Sequence, residues 1–128
     1  MKELPNHIRH GFGAVRPCVY GHADLPDFLE RVFHASVLER HEHDDRSAHI
    51  EMRIGDSVVA IEAAPSGDAQ ATVATVYVYV EDVDSAYRRA MAAGATSVSK
   101  PADRPYQERS GAVKDSFGNI WWISTYRP

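Results

Sequence analysis

An internal repetition limits this fold more than any other feature of the sequence. ADLPDFLERVFHA (23–35) and EDVDSAYRRAMAA (81–93) are both amphipathic helical segments, about 60 residues apart. Each follows one strand-like run and precedes three more. A single repetition with one linker describes a tandem pair. A solenoid would need three or more copies to bury its faces.

The first unit is expected over 14–63. AVRPCVY (14–20) reads as a strand in which Pro17 marks an edge or a bulge. In the following helix Asp24 stands at the N-cap and Pro26 in the first turn, with Leu25, Phe28, Leu29, Val32 and Phe33 at helical spacing. SVLERHEHDDRS reads as a short strand running into a charged loop. AHIEMRI (48–54) alternates, with Ile50, Met52 and Ile54 on one face and His49, Glu51 and Arg53 on the other. Gly55-Asp56 makes a hairpin turn into SVVAIEA.

Residues 64–72, rich in Pro, Gly, Ser and Ala, read as the linker. The second unit is expected over 73–126. In VATVYVYV (73–80), Val76, Val78 and Val80 share one face, and Thr75, Tyr77 and Tyr79 the other. The next helix, capped by Asp82 or Asp84, presents Val83, Ala86, Tyr87, Ala90 and Met91 and stops at Gly94. TSVSKP is then a strand, ADRPYQERSG a loop, AVKD a strand, SFGN a turn and IWWISTY the last strand. The first dozen residues read as a loose arm.

The expected fold class is α+β: two tandem βαβββ modules forming curved mixed sheets with a concave trough. The helix-facing side should be aliphatic and the trough side mixed. Trp121 and Trp122 are adjacent, so they take opposite faces, Trp121 in the core and Trp122 in the trough. At 128 residues a single domain is expected. A net charge of −4 argues against nucleic acid or an anionic membrane as partner. No stretch approaches the roughly 20 apolar residues of a membrane span. Cys18 is the single cysteine, which excludes an internal disulfide and a Cys-based zinc cluster. It reads as a buried small hydrophobe, and a reducing, cytoplasmic location is expected.

Several residues could carry chemistry. His49 and Glu51 share the trough face and are the candidate catalytic pair, either as an acid/base pair or as metal ligands. The alternative is a half-exposed strand with a local ion pair. His41 and His43, in ERHEHDD (39–45), could present two imidazoles to a metal or simply form a solvated charged loop. Tyr77 and Tyr79 offer flat apolar area with a polar tip. Arg109 could hold an anionic substrate or anchor its loop.

Three stretches carry a family resemblance: VYVYVEDVDSAYRRAMAAGA, PYQERSGAVKDSFGNIWWIST and HIEMRIGDSVVAI. With them the chain resembles the vicinal oxygen chelate superfamily of glyoxalases, bleomycin-resistance proteins and extradiol dioxygenases. It looks most like the small PhnB-like branch. The resemblance implies a glyoxalase-like fold, commonly a homodimer. In metal-binding relatives it implies one His or Glu ligand from each of four strands. The corresponding places here are the region of Val15, Glu62, Thr75 and Trp122, and only Glu62 is a metal ligand type. No cofactor is therefore expected, although the superfamily admits a divalent metal, with Glu62, His41 and His43 as its weak candidates. The expected function is small-molecule binding in an aromatic-lined trough by His49, Glu51, Tyr77, Tyr79, Arg109 and Trp122. The alternative is a metal-dependent lyase, isomerase or dioxygenase.

Overall fold

The computed structural model describes residues 7–11, 13–65 and 71–128. The chain order is β1 (Cys18–Gly21), α1 (Leu25–Phe33), β2 (Ser36–Glu42), β3 (Ala48–Ile54), β4 (Ser57–Ala63), β5 (Thr75–Tyr79), α2 (Val83–Ala92), β6 (Thr96–Arg104), β7 (Glu108–Lys114) and β8 (Ile120–Tyr126). Two four-stranded mixed sheets result, ordered β1-β4-β3-β2 and β5-β8-β7-β6. Each has one parallel pair, β1 with β4 or β5 with β8, and antiparallel pairs elsewhere. The parallel pair is what a crossover helix demands, because a tight turn cannot return a chain in the same direction.

The two helices present different faces for a physical reason. α1 buries the large Leu25, Phe28, Leu29, Val32 and Phe33, whereas α2 buries only Val83, Ala86 and Ala90. The bulk missing from α2 is supplied by its sheet, where Trp121 is 0% exposed and its indole lies 5.7 Å from the Phe33 ring. The helix-facing residues of both modules join in a single core cluster. Arg89 of α2 adds a polar tie, donating from Nε and Nη2 to the Val32 carbonyl at 3.1 and 2.8 Å. Asp82 caps α2, accepting from the Ser85 N–H at 3.1 Å. Asp24 stands at the α1 N-cap but makes no cap bond, and its carboxylate accepts instead from Ser116 Oγ of the other module.

A buried polar hub sits in the turn between β7 and β8. Asp115 Oδ1 accepts the backbone N–H groups of Phe117, Gly118 and Asn119, each at 3.0 Å. Its Oδ2 accepts Asn119 Nδ2 and Trp121 Nε1, each at 2.9 Å. Asn119, fully buried, also donates to the Tyr20 carbonyl of β1 at 2.7 Å and accepts from the Ala74 N–H at 2.8 Å. Gly118 closes the turn at φ +108, a left-handed conformation that disfavours a side chain.

Several sequence expectations need correction. β1 begins at Cys18, not at 14, and Val15 lies before it with 88% exposure. Pro17 lacks the N–H of a strand residue, although its carbonyl accepts from Ala60. Cys18 is exposed, because the alternation of β1 turns Val19 inward instead. Met91 is exposed, since the narrow apolar stripe of α2 ends at Ala90. The expected loop 102–111 is mostly strand: β6 runs to Arg104 and β7 starts at Glu108. Register shifts in β6 after Ser97 and Ser99 accommodate Pro101 and blur its alternation. The loose arm contains one 3-10 turn, Arg9–Gly11, while residues 1–6 and 12 lie outside the described residues. The same holds for 66–70, the middle of the expected linker.

Asp115→Ala would strand the buried Trp121 Nε1–H and one of the two Asn119 Nδ2 hydrogens, the other staying on the Tyr20 carbonyl, each costing about 1–3 kcal/mol. Urea unfolding should show a loss of roughly 3 kcal/mol or more. A loss below about 1 kcal/mol would show that water replaces the carboxylate.

Candidate functional site

The alternation of β3 and β4 places His49, Glu51 and Glu62 on the side of the first sheet away from its helix. His49 pairs with Glu62 across the two strands. His49 Nδ1 lies 2.6 Å from Glu62 Oε1, and Nε2 lies 2.7 Å from Glu51 Oε2. Glu51, 3% exposed, also accepts from Arg16 Nη1 at 2.9 Å. Glu62 Oε2 lies 2.8 Å from His43 Nε2. The result is a line in which basic and acidic side chains alternate, His43, Glu62, His49, Glu51, Arg16.

A neutral imidazole has one N–H, so it cannot donate to two carboxylates. His49 satisfies both only as the imidazolium. Its pKa is raised accordingly, mainly by Glu62, against the opposing effect of burial and with further help from Glu51. Burial works to raise Glu62, but the hydrogen bonds of His49 and His43 outweigh it and hold the carboxyl below its usual value. As an imidazolium, His49 can donate a proton. Cys18 faces the same acids. Partial burial, then Glu62 and Glu51, push its thiol up, which leaves less thiolate than in a free cysteine.

The second sheet carries an aromatic platform on the corresponding side. Trp122 of β8 is the register partner of Tyr77 of β5. Their rings stack with centroids 6.4 Å apart and planes 21° apart. Tyr79 meets Tyr77 edge-on at 5.5 Å. Both tyrosine hydroxyls donate to one carboxylate, Tyr77 to Glu108 Oε1 and Tyr79 to Glu108 Oε2 at 2.6 Å. The Tyr77 and Tyr79 hydroxyls hold Glu108 below the ordinary carboxylate range, and Glu108 in turn pushes Tyr79 up to about 12.

A cavity of about 780 Å³ adjoins this platform. It is walled by β5 with Tyr77 and Tyr79, the β3–β4 hairpin, the end of α1 at Phe33 and His34, and Ser85 and Arg89 of α2. Neither His49 nor Trp122 lines it.

The candidate residues thus fall into separate groups rather than one trough. His49 and Glu51 join Glu62 on the first sheet, and Tyr77, Tyr79 and Trp122 come together on the second. Arg109 joins neither. Its Nε and Nη2 bind Asp84 bidentately, both at 2.8 Å, and Nη1 reaches Asp103 at 3.3 Å, so it ties β7 to α2. His41 and His43 diverge: His41 binds Glu39, which Arg9 and His10 also approach, whereas His43 turns to Glu62. Among the described residues no group of three or more His, Cys, Asp or Glu is placed to hold a metal ion.

Glu108, Arg16 and Asp115 are absent from the expected site. Glu108 falls inside the expected loop, and Arg16 lies in the part of the expected strand, 14–17, that does not form. For Asp115 a signal existed, since Asp followed by Ser-Phe-Gly-Asn is the composition of a turn closed by an Asp side chain.

Comparisons with known proteins agree with this architecture. A family model described as Glyoxalase/Bleomycin resistance protein/Dioxygenase superfamily matches residues 21–123. TioX from Micromonospora sp. ML1 superposes with a TM-score of 0.67 at 28% identity, covering 88% of this chain and 99% of that one. The fosfomycin resistance protein FosX from Mesorhizobium loti superposes with a TM-score of 0.64 at 22% identity, covering 88% and 90%, a likeness of fold. An uncharacterized protein of Mycobacterium bovis is 42% identical over 50 residues, which span 39% of this chain but only 33% of that relative's length. Among the described residues no helix is long and apolar enough to cross a membrane.

The charge line has a pH signature. A raised His49 pKa contributes stability that is complete below the unfolded value of about 6.5 and is lost as pH rises through the higher folded value. Thermal melts should show wild type losing stability between neutral and mildly alkaline pH relative to His49→Gln. Parallel curves for the two proteins would contradict the imidazolium. Independently, Cys18 should react more slowly with a thiol reagent at pH 8 than a model cysteine peptide, and Glu62→Gln should speed it. An unchanged rate in that variant would remove Glu62 as a cause.

Proposed function

The chain belongs to the glyoxalase/bleomycin resistance protein/dioxygenase superfamily, and from that premise we propose that it binds a small organic molecule on the Trp122 face and sequesters it unchanged. The observation that carries this reading is the platform of Trp122, Tyr77 and Tyr79. Tyr77 and Tyr79 are 45% and 62% exposed, an unusual amount of aromatic surface to leave in water. Stacked rings whose hydroxyls are fixed on Glu108 form a surface ordered before any ligand arrives, which lowers the entropy lost on binding. The adjoining cavity is of the size that takes drug-like ligands.

A second copy of the chain is the natural macromolecular partner. The charged face and the ring face lie on different sheets, and β1 and β5 are edge strands with one neighbour each. A homodimer would set the ring face of one protomer opposite the charged face of the other. Nothing in the composition favours nucleic acid, since the net charge is −4.

The enzymatic reading stands second, and His49 favours it, being a proton donor flanked by carboxylates. The lyases and dioxygenases of the superfamily use a divalent metal, and the residues here do not fit one. The modules correspond in register, Tyr20 opposite Glu62 and Tyr77 opposite Trp122, so the equivalent of Glu62 in the second module is an indole. The register moves the β1 place from the region of Val15 to Cys18, whose raised pKa disfavours the ligating thiolate, and its counterpart on β5 is Thr75. Glu62 itself is engaged at both oxygens by His43 and His49. No metal-dependent step is derived for this chain.

A fluorescence screen of planar aromatic compounds tests the binding reading. Hits should quench emission from Trp122, and Trp122→Phe should weaken them about 3–10-fold, the worth of one ring contact, without changing the melting temperature. Hits that bind wild type and Trp122→Phe equally would place the ligand elsewhere. Metal analysis of purified protein and of His49→Ala decides the second reading: stoichiometric metal in wild type, lost in the variant, would put the enzyme first.

A further inference from the structure

We propose, resting on the reading above, that the ligand of the Trp122 face is an organic cation, a flat ring carrying a permanent or protonated nitrogen charge. Charge placement around the rings carries the inference. Glu108 sits at the edge of the platform, and each of its oxygens accepts one tyrosine hydroxyl, Oε1 from Tyr77 and Oε2 from Tyr79. These are neutral donors. They fix the carboxylate in place but leave its charge uncompensated. An anionic ligand stacked on Trp122 would face that charge directly. A cation gains twice, from the carboxylate and from the electron-rich ring faces.

The basic residues near Glu108 are turned away from it. Arg109, its neighbour in sequence, is bound to Asp84 and Asp103. Arg104, its partner across the strands, donates to Ser99 Oγ and to the hydroxyl and carbonyl of Ser110; these neutral acceptors leave its charge in place but hold the guanidinium off Glu108. Arg127 is directed to Asp103. The adjoining cavity leans the same way: three acids, Asp56, Glu81 and Asp82, line it against one arginine, Arg89, whose guanidinium is held at the Val32 carbonyl and Ser85. Among the described residues Glu108 makes no ion pair, in contrast to Glu51 and Glu39, each of which holds an arginine.

The experiment compares two probes of one shape, N-methylquinolinium and quinoline, at pH 7.5, where the first is cationic and the second neutral. Binding is followed through the indole N–H resonances of Trp121 and Trp122. N-methylquinolinium should shift Trp122 and bind at least tenfold more tightly than quinoline. That preference should shrink as salt is raised, because it is electrostatic, and should collapse in Glu108→Gln. An unmoved Trp121 resonance in the variant checks its fold, and the salt series on wild type tests the same charge without any substitution. Equal affinity for the two probes at Trp122, or a preference indifferent to both salt and Glu108→Gln, would overturn the cation inference and leave the binding reading standing. Failure of both probes to move Trp122 would overturn the binding reading together with the inference.

Discussion

The Asp115 carboxylate is the constraint on which the remainder of this structure depends. It closes the β7–β8 turn through three backbone N–H groups, and on its other oxygen it holds Asn119 and the Trp121 indole. Asn119 then reaches across to the Tyr20 carbonyl of the first module. A single buried acid therefore fixes where β8 starts, which way Trp121 points and how one module meets the other. A buried carboxylate without donors would be strongly destabilising; here every oxygen is satisfied, and the turn becomes rigid. Because Trp121 is fixed inward, strand alternation forces Trp122 outward to meet Tyr77. The platform is thus a geometric consequence of the hub.

The repetition explains how one architecture carries two chemistries. Tyr20 opposite Glu62 in the first module corresponds to Tyr77 opposite Trp122 in the second. The first face became a chain of charges with a histidine at its centre. The second is a surface of rings whose tyrosine hydroxyls share the Glu108 carboxylate. A face that had kept carboxylates and imidazoles in both modules could offer converging donors to a metal. This pair offers a charged wall and an aromatic wall instead, an arrangement suited to recognition.

Much of the fold was legible in the sequence because its signals were local. β3, β4 and β8 fall where alternation puts them, since Ile50 and Met52 or Trp121 and Ile123 leave one register that buries them. The sequence narrows the α2 cap to Asp82 or Asp84, of which Asp82 makes the bond, and its stop at Gly94 is equally readable. The β6–β7 hairpin was not, because Pro101 and its bulges break the alternation over the residues that form it. At the site, Trp122, Tyr77 and Tyr79 could be placed on one face from β5 and β8 alone. The partners that decide their chemistry could not. Glu108 reaches Tyr77 from 31 residues away, and Glu51 meets Arg16 from 35. Arg109 shows the converse: its residue type allows an anion site or an anchor, and its pairing with Asp84 makes it an anchor.

The opposite fates of the two adjacent indoles can be measured directly. In protein labelled with 5-fluorotryptophan, the two fluorine resonances are followed while a soluble paramagnetic agent is added. Trp122 should broaden, Trp121 should stay sharp, and a bound planar aromatic ligand should restore Trp122 alone. Equal broadening of both resonances, or protection of Trp121 rather than Trp122 by the ligand, would contradict that arrangement.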